Sequence, residues 1–349
     1  MNEPYLYALI STFIPEHSSV LTDLANGLLI KEIKGGNTYA NGVLHSFNDE
    51  PAEILEDGTK EWYQNGKRHR DNDLPAVVYS DGTKKWYQHG KLHRGSSRDG
   101  VDLPAVIWSN GDKEWYQHSL LHRDNDLPAM IYADGAQVWC QNGYNHRDND
   151  LPAVVSADYK EWFQNGKEHR DNDLPSLVWT DGTEEWRRNG KRHRDNDLPA
   201  VIYGSGTQEW WQNDRRHRGA SQAGDNDLPA IVWDDGAKEW WQNGECQRDN
   251  DLPAVILNSG SRFWYQNSKL HRGIDLPAVV HFNGTQIWYQ NGERHRDNDL
   301  PAVIYADGEK EWYQNGKKHR DNGPAVIYPH RRQEWWLNDQ FIRFVDLEL

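Results

Sequence analysis

Residues 301–315 read PAVIYADGEKEWYQN, and this stretch decides the fold. Asp307-Gly308 lies between two segments rich in Val, Ile, Tyr and Trp, which are residues that favour strands. An Asp-Gly pair in this setting predicts a β-hairpin with a two-residue type I′ turn, because that turn needs positive φ at both central residues. In that register Val303 would face Trp312, and both faces of the hairpin would be half apolar.

The hairpin recurs along the chain, usually every 24 residues. Residues 295–305, HRDNDLPAVIY, are repeated letter for letter at 193–203. Each of twelve copies carries a Trp column residue, which we interpret as structural: Trp62, Trp86, Trp115, Trp139, Trp162, Trp186, Trp210, Trp240, Trp264, Trp288, Trp312 and Trp335. Each also has an Arg eight residues later: Arg70, Arg94, Arg123, Arg147, Arg170, Arg194, Arg218, Arg248, Arg272, Arg296, Arg320 and Arg343.

This periodicity predicts an all-β fold, an elongated twisted single-layer ribbon of tandem 24-residue β-hairpins over residues 37–340. An isolated hairpin is barely stable, so each would stack on the next. The array would hold about twelve units and a half unit before them. The segment QNGKRHRDNDL is interpreted as a connector. Insertions at Gly95–Val101 and Gly219–Gly224 fall after His-Arg, so this edge of the sheet should be exposed.

The two ends depart from the repeat. In residues 1–36, Ser18-Ser19 precede Val20, Leu21, Leu24, Leu28 and Leu29 at helical spacing, which predicts a small helical cap. The alternative is a docking helix or adaptor motif. Residues 341–349 are more apolar than the connectors that they replace, and they are predicted to cap the last strand or to pair with a second copy as a homodimer.

Composition limits the classes of function. The chain has 349 residues and a formal net charge of −15, which disfavours nucleic-acid backbones and anionic membranes. Mean hydropathy is −0.98, and the two cysteines lie in different units. The apolar run 5–14 follows Glu3 and is too short to span a bilayer. We therefore expect an intracellular protein without membrane insertion, not a secreted one.

The polar residues of the repeated motif raise the question of catalysis or metal binding. His-Arg-Asp opens the catalytic loop of protein kinases, but the other kinase motifs are missing, so we predict no enzyme, no catalytic residue and no cofactor. Asp71, Asn72 and Asp73 resemble calcium-loop spacing, yet Leu-Pro follows them, so no metal site is predicted. We expect Arg70 to stack on a neighbouring Trp and to pair with Asp71 or Asp73.

The aromatic and Arg columns leave a second class of function open. Aromatic platforms beside basic groups bind single-stranded nucleic acid by stacking, so a nucleic-acid or chromatin association is the alternative. The acidic charge of the chain makes it the weaker hypothesis.

The pattern DG-x-x-x-WYQNGK-x-HR resembles the MORN-repeat family, over about residues 37–340. Ordinary MORN units have Gly near the places of Tyr313 and Arg320. The pattern is most similar to tandem arrays of giant DNA viruses of amoebae, the marseillevirus-like group. The resemblance implies a ribbon of hairpins used for protein contacts or membrane apposition. It also implies a location in the host cytoplasm, virus factory or nucleus, or in the virion.

We therefore expect a repeat scaffold that binds host or viral proteins. Identical units cannot define a unique site, so specificity should lie where the pattern breaks. The candidate partner-binding residues are Gly95, Ser96, Ser97, Arg98, Gly219, Ala220, Ser221, Gln222, Arg187, Arg188, Cys246 and Gln247.

Overall fold

The computed structural model describes residues 20–22, 29–95, 100, 102–218, 227–330 and 332–346. These residues form an all-β fold of short antiparallel hairpins, as the sequence predicts, and contain no helix. The chain divides into two compact structural units, each larger than a single repeat: residues 1–167 and residues 168–349. The first also contains an antiparallel sheet of Val20–Thr22, Leu29–Lys34, Asn37–Ala40 and Val43–Leu44.

The sheet at the start of the chain corrects part of the predicted helical cap. Val20–Thr22 is a strand that pairs with Leu29–Lys34 through Leu21 opposite Ile30. A helix there is therefore wrong. Closely spaced apolar residues fit either period, and the strand Leu29–Lys34 offers backbone hydrogen bonds to an extended neighbour. The rest of the predicted cap, residues 1–19 and 23–28, lies outside the described residues.

Each repeat contributes a first hairpin, and consecutive first hairpins pair edge to edge into one ladder per unit. In the first unit its strands are Glu53–Ile54 and Lys60–Glu61, Val77–Val78 and Lys84–Lys85, Val106–Ile107 and Lys113–Glu114, Met130–Ile131 and Gln137–Val138, and Val154–Val155 and Tyr159–Glu161. In the second they are Leu177–Trp179 and Glu184–Glu185, Val201–Ile202 and Gln208–Glu209, Ile231–Val232 and Lys238–Glu239, Val255–Ile256 and Arg262–Phe263, Val279–Val280 and Gln286–Ile287, Val303–Ile304 and Lys310–Glu311, and Val326–Ile327 and Arg332–Leu337.

The register of the first hairpin differs from the prediction by one residue. Val303 lies opposite Glu311, not Trp312. Tyr305 donates its N–H to the Glu309 carbonyl at 2.9 Å, so the loop has three residues and ends at Gly308, with φ +95°. A three-residue loop with a left-handed glycine is the next most favoured hairpin connection. Because side chains alternate along a strand, the shift moves Trp312 to the face opposite Val303.

A second hairpin follows the first in each repeat, where the sequence predicted only a connector. Tyr313 pairs with Lys318 and Gln314 with Lys317 across Asn315-Gly316, whose φ angles are +48° and +77°. This is a type I′ turn. The second-hairpin strands are Tyr63–Gln64 and Lys67–Arg68, Tyr87–Gln88 and Lys91–Leu92, Tyr116–Gln117 and Leu120–Leu121, Cys140–Gln141 and Tyr144–Asn145, Phe163–Gln164 and Lys167–Glu168, Arg187–Arg188 and Lys191–Arg192, Trp211–Gln212 and Arg215–Arg216, Trp241–Gln242 and Glu245–Cys246, Tyr265–Gln266 and Lys269–Leu270, Tyr289–Gln290 and Glu293–Arg294, and Tyr313–Gln314 and Lys317–Lys318.

The last repeat ends differently, because Arg332–Leu337 pairs directly with Gln340–Asp346. A bulge between Trp335 and Trp336 changes the register of this pairing. The predicted terminal segment 341–349 therefore continues as a strand through Asp346 within the described residues.

The core lies between the first-hairpin ladder and the second hairpins. In the second unit Val279, Ile287 and Val303 are buried, and Tyr289 and Tyr313 of the second hairpins pack against them. In the first unit the same position holds Ala129, Val138, Cys140 and Val154. Burial of these apolar side chains is the main force that stacks successive hairpins.

Candidate interaction surface

The repeated Asp-Asn-Asp-Leu is a tight turn. The N–H of Leu74 donates to the Asp71 carbonyl at 3.2 Å, and Asn72 and Asp73 both have positive φ, +58° and +55°. Asn and Asp tolerate this left-handed backbone better than other residues with side chains. The motif therefore makes a type I′ turn without glycine, and its three polar residues are first of all turn residues.

This turn receives the Trp and the Arg of the following repeat. The Trp86 indole donates Nε1–H to the Asp73 carbonyl at 3.0 Å. Arg94 donates from Nε and Nη2 to both carboxylate oxygens of Asp73, each at 2.7 Å, and its guanidinium carbon lies 3.9 Å from the Trp86 ring centre. Arg94 Nη1 reaches the Pro104 carbonyl at 3.3 Å. We call this group of Asp, Trp and Arg the clamp.

The observed ion-pair partner of Arg70 differs from the predicted one. Stacking on Trp was predicted, but Arg70 pairs with Asp49 of the preceding turn rather than with Asp71 or Asp73. Because the Asp belongs to one repeat and the Arg to the next, the clamp ties neighbours together. It recurs with ion pairs of 2.6–2.8 Å at Arg123–Asp102, Arg147–Asp126, Arg194–Asp173, Arg218–Asp197, Arg248–Asp227, Arg272–Asp251, Arg296–Asp275 and Arg320–Asp299.

Both insertions leave the clamp in place. Arg94 and Arg218 still reach Pro104 and Pro229 across the longer loops, at 3.3 and 3.2 Å. One contact is lost, because the buried Trp115 Nε1 has no partner among the described residues. The Arg–Asp pairing between repeats is therefore kept after both insertions, at Arg123–Asp102 and Arg248–Asp227.

The His of the motif links the turn to the next repeat. His295 Nε2 lies 3.0 Å from Asp297 Oδ1, and its Nδ1 accepts the backbone N–H of Asn315 at 3.1 Å. A ring that accepts at Nδ1 and donates at Nε2 is neutral. Where burial dominates, as at His45 and His217, the His pKa falls below its ordinary value. These histidines serve the contact between repeats.

Carboxylates in the core bind the second hairpin. Glu311 is buried and accepts from the hydroxyls of Tyr305 and Tyr313, both at 3.2 Å, and from Lys318 Nζ at 2.7 Å. Burial, followed by the charge of Glu311, raises the pKa of Tyr305 to about 12. A buried carboxylate is tolerated only when it is paired and hydrogen-bonded in this way. This role was not predicted from the sequence, although a Glu stands directly before the column Trp in eight repeats.

One repeated surface remains exposed beside these contacts. The Leu after each turn is between 36% and 40% exposed at Leu74, Leu127, Leu151, Leu174, Leu198, Leu252, Leu276 and Leu300. The first Asp of the turn is also exposed, with 71% of the Asp71 side chain open to solvent. We call this row of leucines and aspartates the connector edge. It repeats once per hairpin pair, at roughly 9.6 Å for two strands.

The predicted partner-binding residues are dispersed. Ser96, Ser97, Arg98 and residues 219–222 lie outside the described residues, and Gly95 is half-exposed. Arg187 pairs with Glu185 at 2.9 Å and also with Glu168, and Arg188 pairs with Asp195. Cys246 is buried, which raises its pKa to about 12, and Gln247 donates to Gln242 at 3.0 Å. The described members belong to three different repeats.

The described residues contain no helix long and apolar enough to cross a bilayer.

Comparison with known proteins gives no assignment: no protein-family model matches the sequence, and no curated protein matches it significantly.

Proposed function

We propose that this protein is a non-enzymatic scaffold that binds other proteins along the connector edge. The proposal is supported by the observation that some residues of the repeated motif join neighbouring repeats while others stay exposed. Its Trp, Arg and second Asp hold neighbouring repeats together, as at Trp86, Arg94 and Asp73. Its Leu and first Asp stay exposed in most repeats, so these repeats offer the same apolar and acidic contact to a partner.

On the resemblance to MORN arrays of giant viruses, we propose host or viral proteins as the partners, met in the host cell or in the virion. The nucleic-acid alternative would need the Arg and Trp columns as contact groups. Arg194 instead lies over Trp186 at 3.8 Å with its fork on Asp173, so this pair is already engaged. We therefore favour proteins as partners.

Stepwise substitution of the exposed leucines of the connector edge tests the proposal. The immobilised full chain would be compared with variants carrying one, two, three or four Leu→Ser changes, at Leu174, Leu198, Leu252 and Leu300. Quantitative mass spectrometry of proteins retained from host lysate should show a stepwise decline, since many weak equal contacts add. Leu120→Ser is the control, because Leu120 is exposed on a second hairpin.

Unchanged retention by the fourfold variant would contradict the proposal. Salt-sensitive DNA retention in filter binding, together with unchanged protein retention, would favour the nucleic-acid alternative.

A further inference from the structure

One turn of the connector edge carries a highly exposed apolar residue. Most repeats read Asp-Asn-Asp at this place, whereas residues 273–275 read Gly-Ile-Asp, and the sequence has a similar Gly-Val-Asp at 100–102. Ile274 takes the place of Asn with φ +59°, and it is 93% exposed. No other large apolar side chain among the described residues is as exposed.

The turn does not explain the isoleucine. A β-branched residue in the left-handed region is a steric outlier, whereas the Asn at this place in the neighbouring turns adopts it readily. Asn250 and Asn298 have φ angles of +57° and +61°, close to that of Ile274. An exposed apolar side chain gains no burial within the chain, so the fold would be served better by Asn at position 274.

The surroundings of Ile274 form an apolar patch with an acidic border. Gly273 removes the first carboxylate of this turn, and Leu276 beside it is 36% exposed. Leu252 and Leu300 continue the row on either side. The first carboxylates of the flanking turns, Asp249 and Asp297, remain exposed. The local surface is therefore an apolar centre with negative charge on both sides.

We propose that this patch docks a basic amphipathic helix of a partner protein, with Ile274 as the central anchor. Leucines of the edge recur at roughly 9.6 Å, and seven residues of an α-helix rise about 10.5 Å. A helix with apolar residues every seven positions thus matches three successive turns, as in other helix-in-groove complexes. Lys or Arg beside its apolar stripe would meet Asp249 and Asp297.

This inference rests on the proposed binding along the connector edge and adds the place and the class of partner. The probe is a fluorescent synthetic peptide of roughly 21 residues, three heptads with Leu at the anchor positions and Lys beside them. A peptide of the same composition in scrambled order controls for charge alone. Anisotropy titrations of the full chain would use Ile274→Asn, with Leu198→Ala as the matched change on a distant turn.

We expect Ile274→Asn to weaken peptide binding about tenfold, as for one well-buried aliphatic side chain. Leu198→Ala should stay within about twofold, because its contact is one of many equal ones. The urea midpoint of Ile274→Asn should be equal to or above that of the unmodified chain, since Asn relieves the strained φ. That readout separates lost contact from lost folding.

Equal effects of the two substitutions would overturn the anchor while leaving a repeated edge intact. Binding of the ordered peptide no tighter than of the scrambled one would overturn the helix as the partner class. Retained proteins that decline stepwise with Leu→Ser changes would then still support the scaffold, so the two failures are distinguishable.

Discussion

At the scale of the residue, the conserved letters of the motif within this chain are explained by hydrogen bonds between repeats. Asp73 makes two of these contacts, because its backbone carbonyl accepts a hydrogen bond from Trp86 and its carboxylate accepts from Arg94. Its left-handed backbone, which presents both groups in one direction, is tolerated by Asp. The stacking of Arg on Trp could be predicted from the fixed spacing of eight. Which Asp pairs with each Arg could not be predicted, because pairing between repeats depends on how the hairpins stack.

Histidine makes stability depend on pH. Burial lowers the pKa of His217, and its Nδ1 accepts the Asn243 N–H at 3.2 Å. The folded state thus prefers the neutral ring, so its stabilising effect is complete above the unfolded pKa of about 6.5 and is lost as pH falls toward the lower folded pKa.

We expect the melting temperature to fall from pH 7.5 to pH 5, and less steeply in His217→Gln, a change for which Gln247 is the natural precedent. Identical slopes in the two proteins would show that this ring does not contribute. Below about pH 4, protonation of clamp aspartates such as Asp299, whose pKa is lowered by its hydrogen bond to Arg320, should destabilise both proteins further.

At the scale of the element, each repeat is two hairpins with different turns. The strand residues and the Asp-Gly pair predicted the first hairpin, but not its three-residue loop, because Asp-Gly also suits a type I turn followed by a left-handed glycine. The second hairpin was missed although Asn315-Gly316 is the strongest short hairpin signal. Its strands of two residues are too short to show alternation, and they are held by the neighbouring repeat.

The second turn has two sequence solutions. Most repeats use Gly, as at Gly292 with φ +91°. Others use Ser or Asp, whose side chain accepts a backbone N–H of the preceding repeat: Asp214 from Arg192 at 2.9 Å and Asp339 from Lys318 at 2.8 Å. The added hydrogen bond offsets the strain of a side chain in the left-handed region.

We therefore expect Gly292→Ala to lower the free energy of unfolding by about 1 kcal/mol or more, and Gly292→Asp to lower it less. The Asp would accept from the N–H of Leu270, the residue whose carbonyl already receives the Gly292 N–H at 2.9 Å. Urea denaturation measures both. A larger loss for Asp than for Ala would refute the compensation.

At the scale of the whole molecule, the sequence predicted an all-β repeat array because the period of 24 residues is visible in the Trp positions alone. The candidate surface was less accessible to sequence reasoning. Exposure of the Leu after each turn follows from the turn geometry, not from the residue type, which is usually buried. Ile274 was visible as a break in the repeat, but its significance depends on its φ angle and its exposure.

Nearest-neighbour stacking predicts that position in the array matters. Trp186 is buried, whereas Trp335 in the last repeat is only half-buried. Trp186→Ala should cost about 3–5 kcal/mol, and Trp335→Ala clearly less. Chemical denaturation of both variants tests this, with hydrogen exchange to locate the loss. Equal losses would argue against stabilisation by nearest neighbours.

The central claim is that the repeated motif joins successive repeats through the clamp. A double-mutant cycle on Asp173→Asn and Arg194→Met measures it most directly, with the exposed pair Arg188–Asp195 as the matched control. The clamp has two parallel hydrogen bonds and an Arg covered by Trp186. We predict a coupling energy of at least about 1 kcal/mol for the clamp and below about 0.5 kcal/mol for the control. A clamp coupling no larger than that of the control would contradict the account.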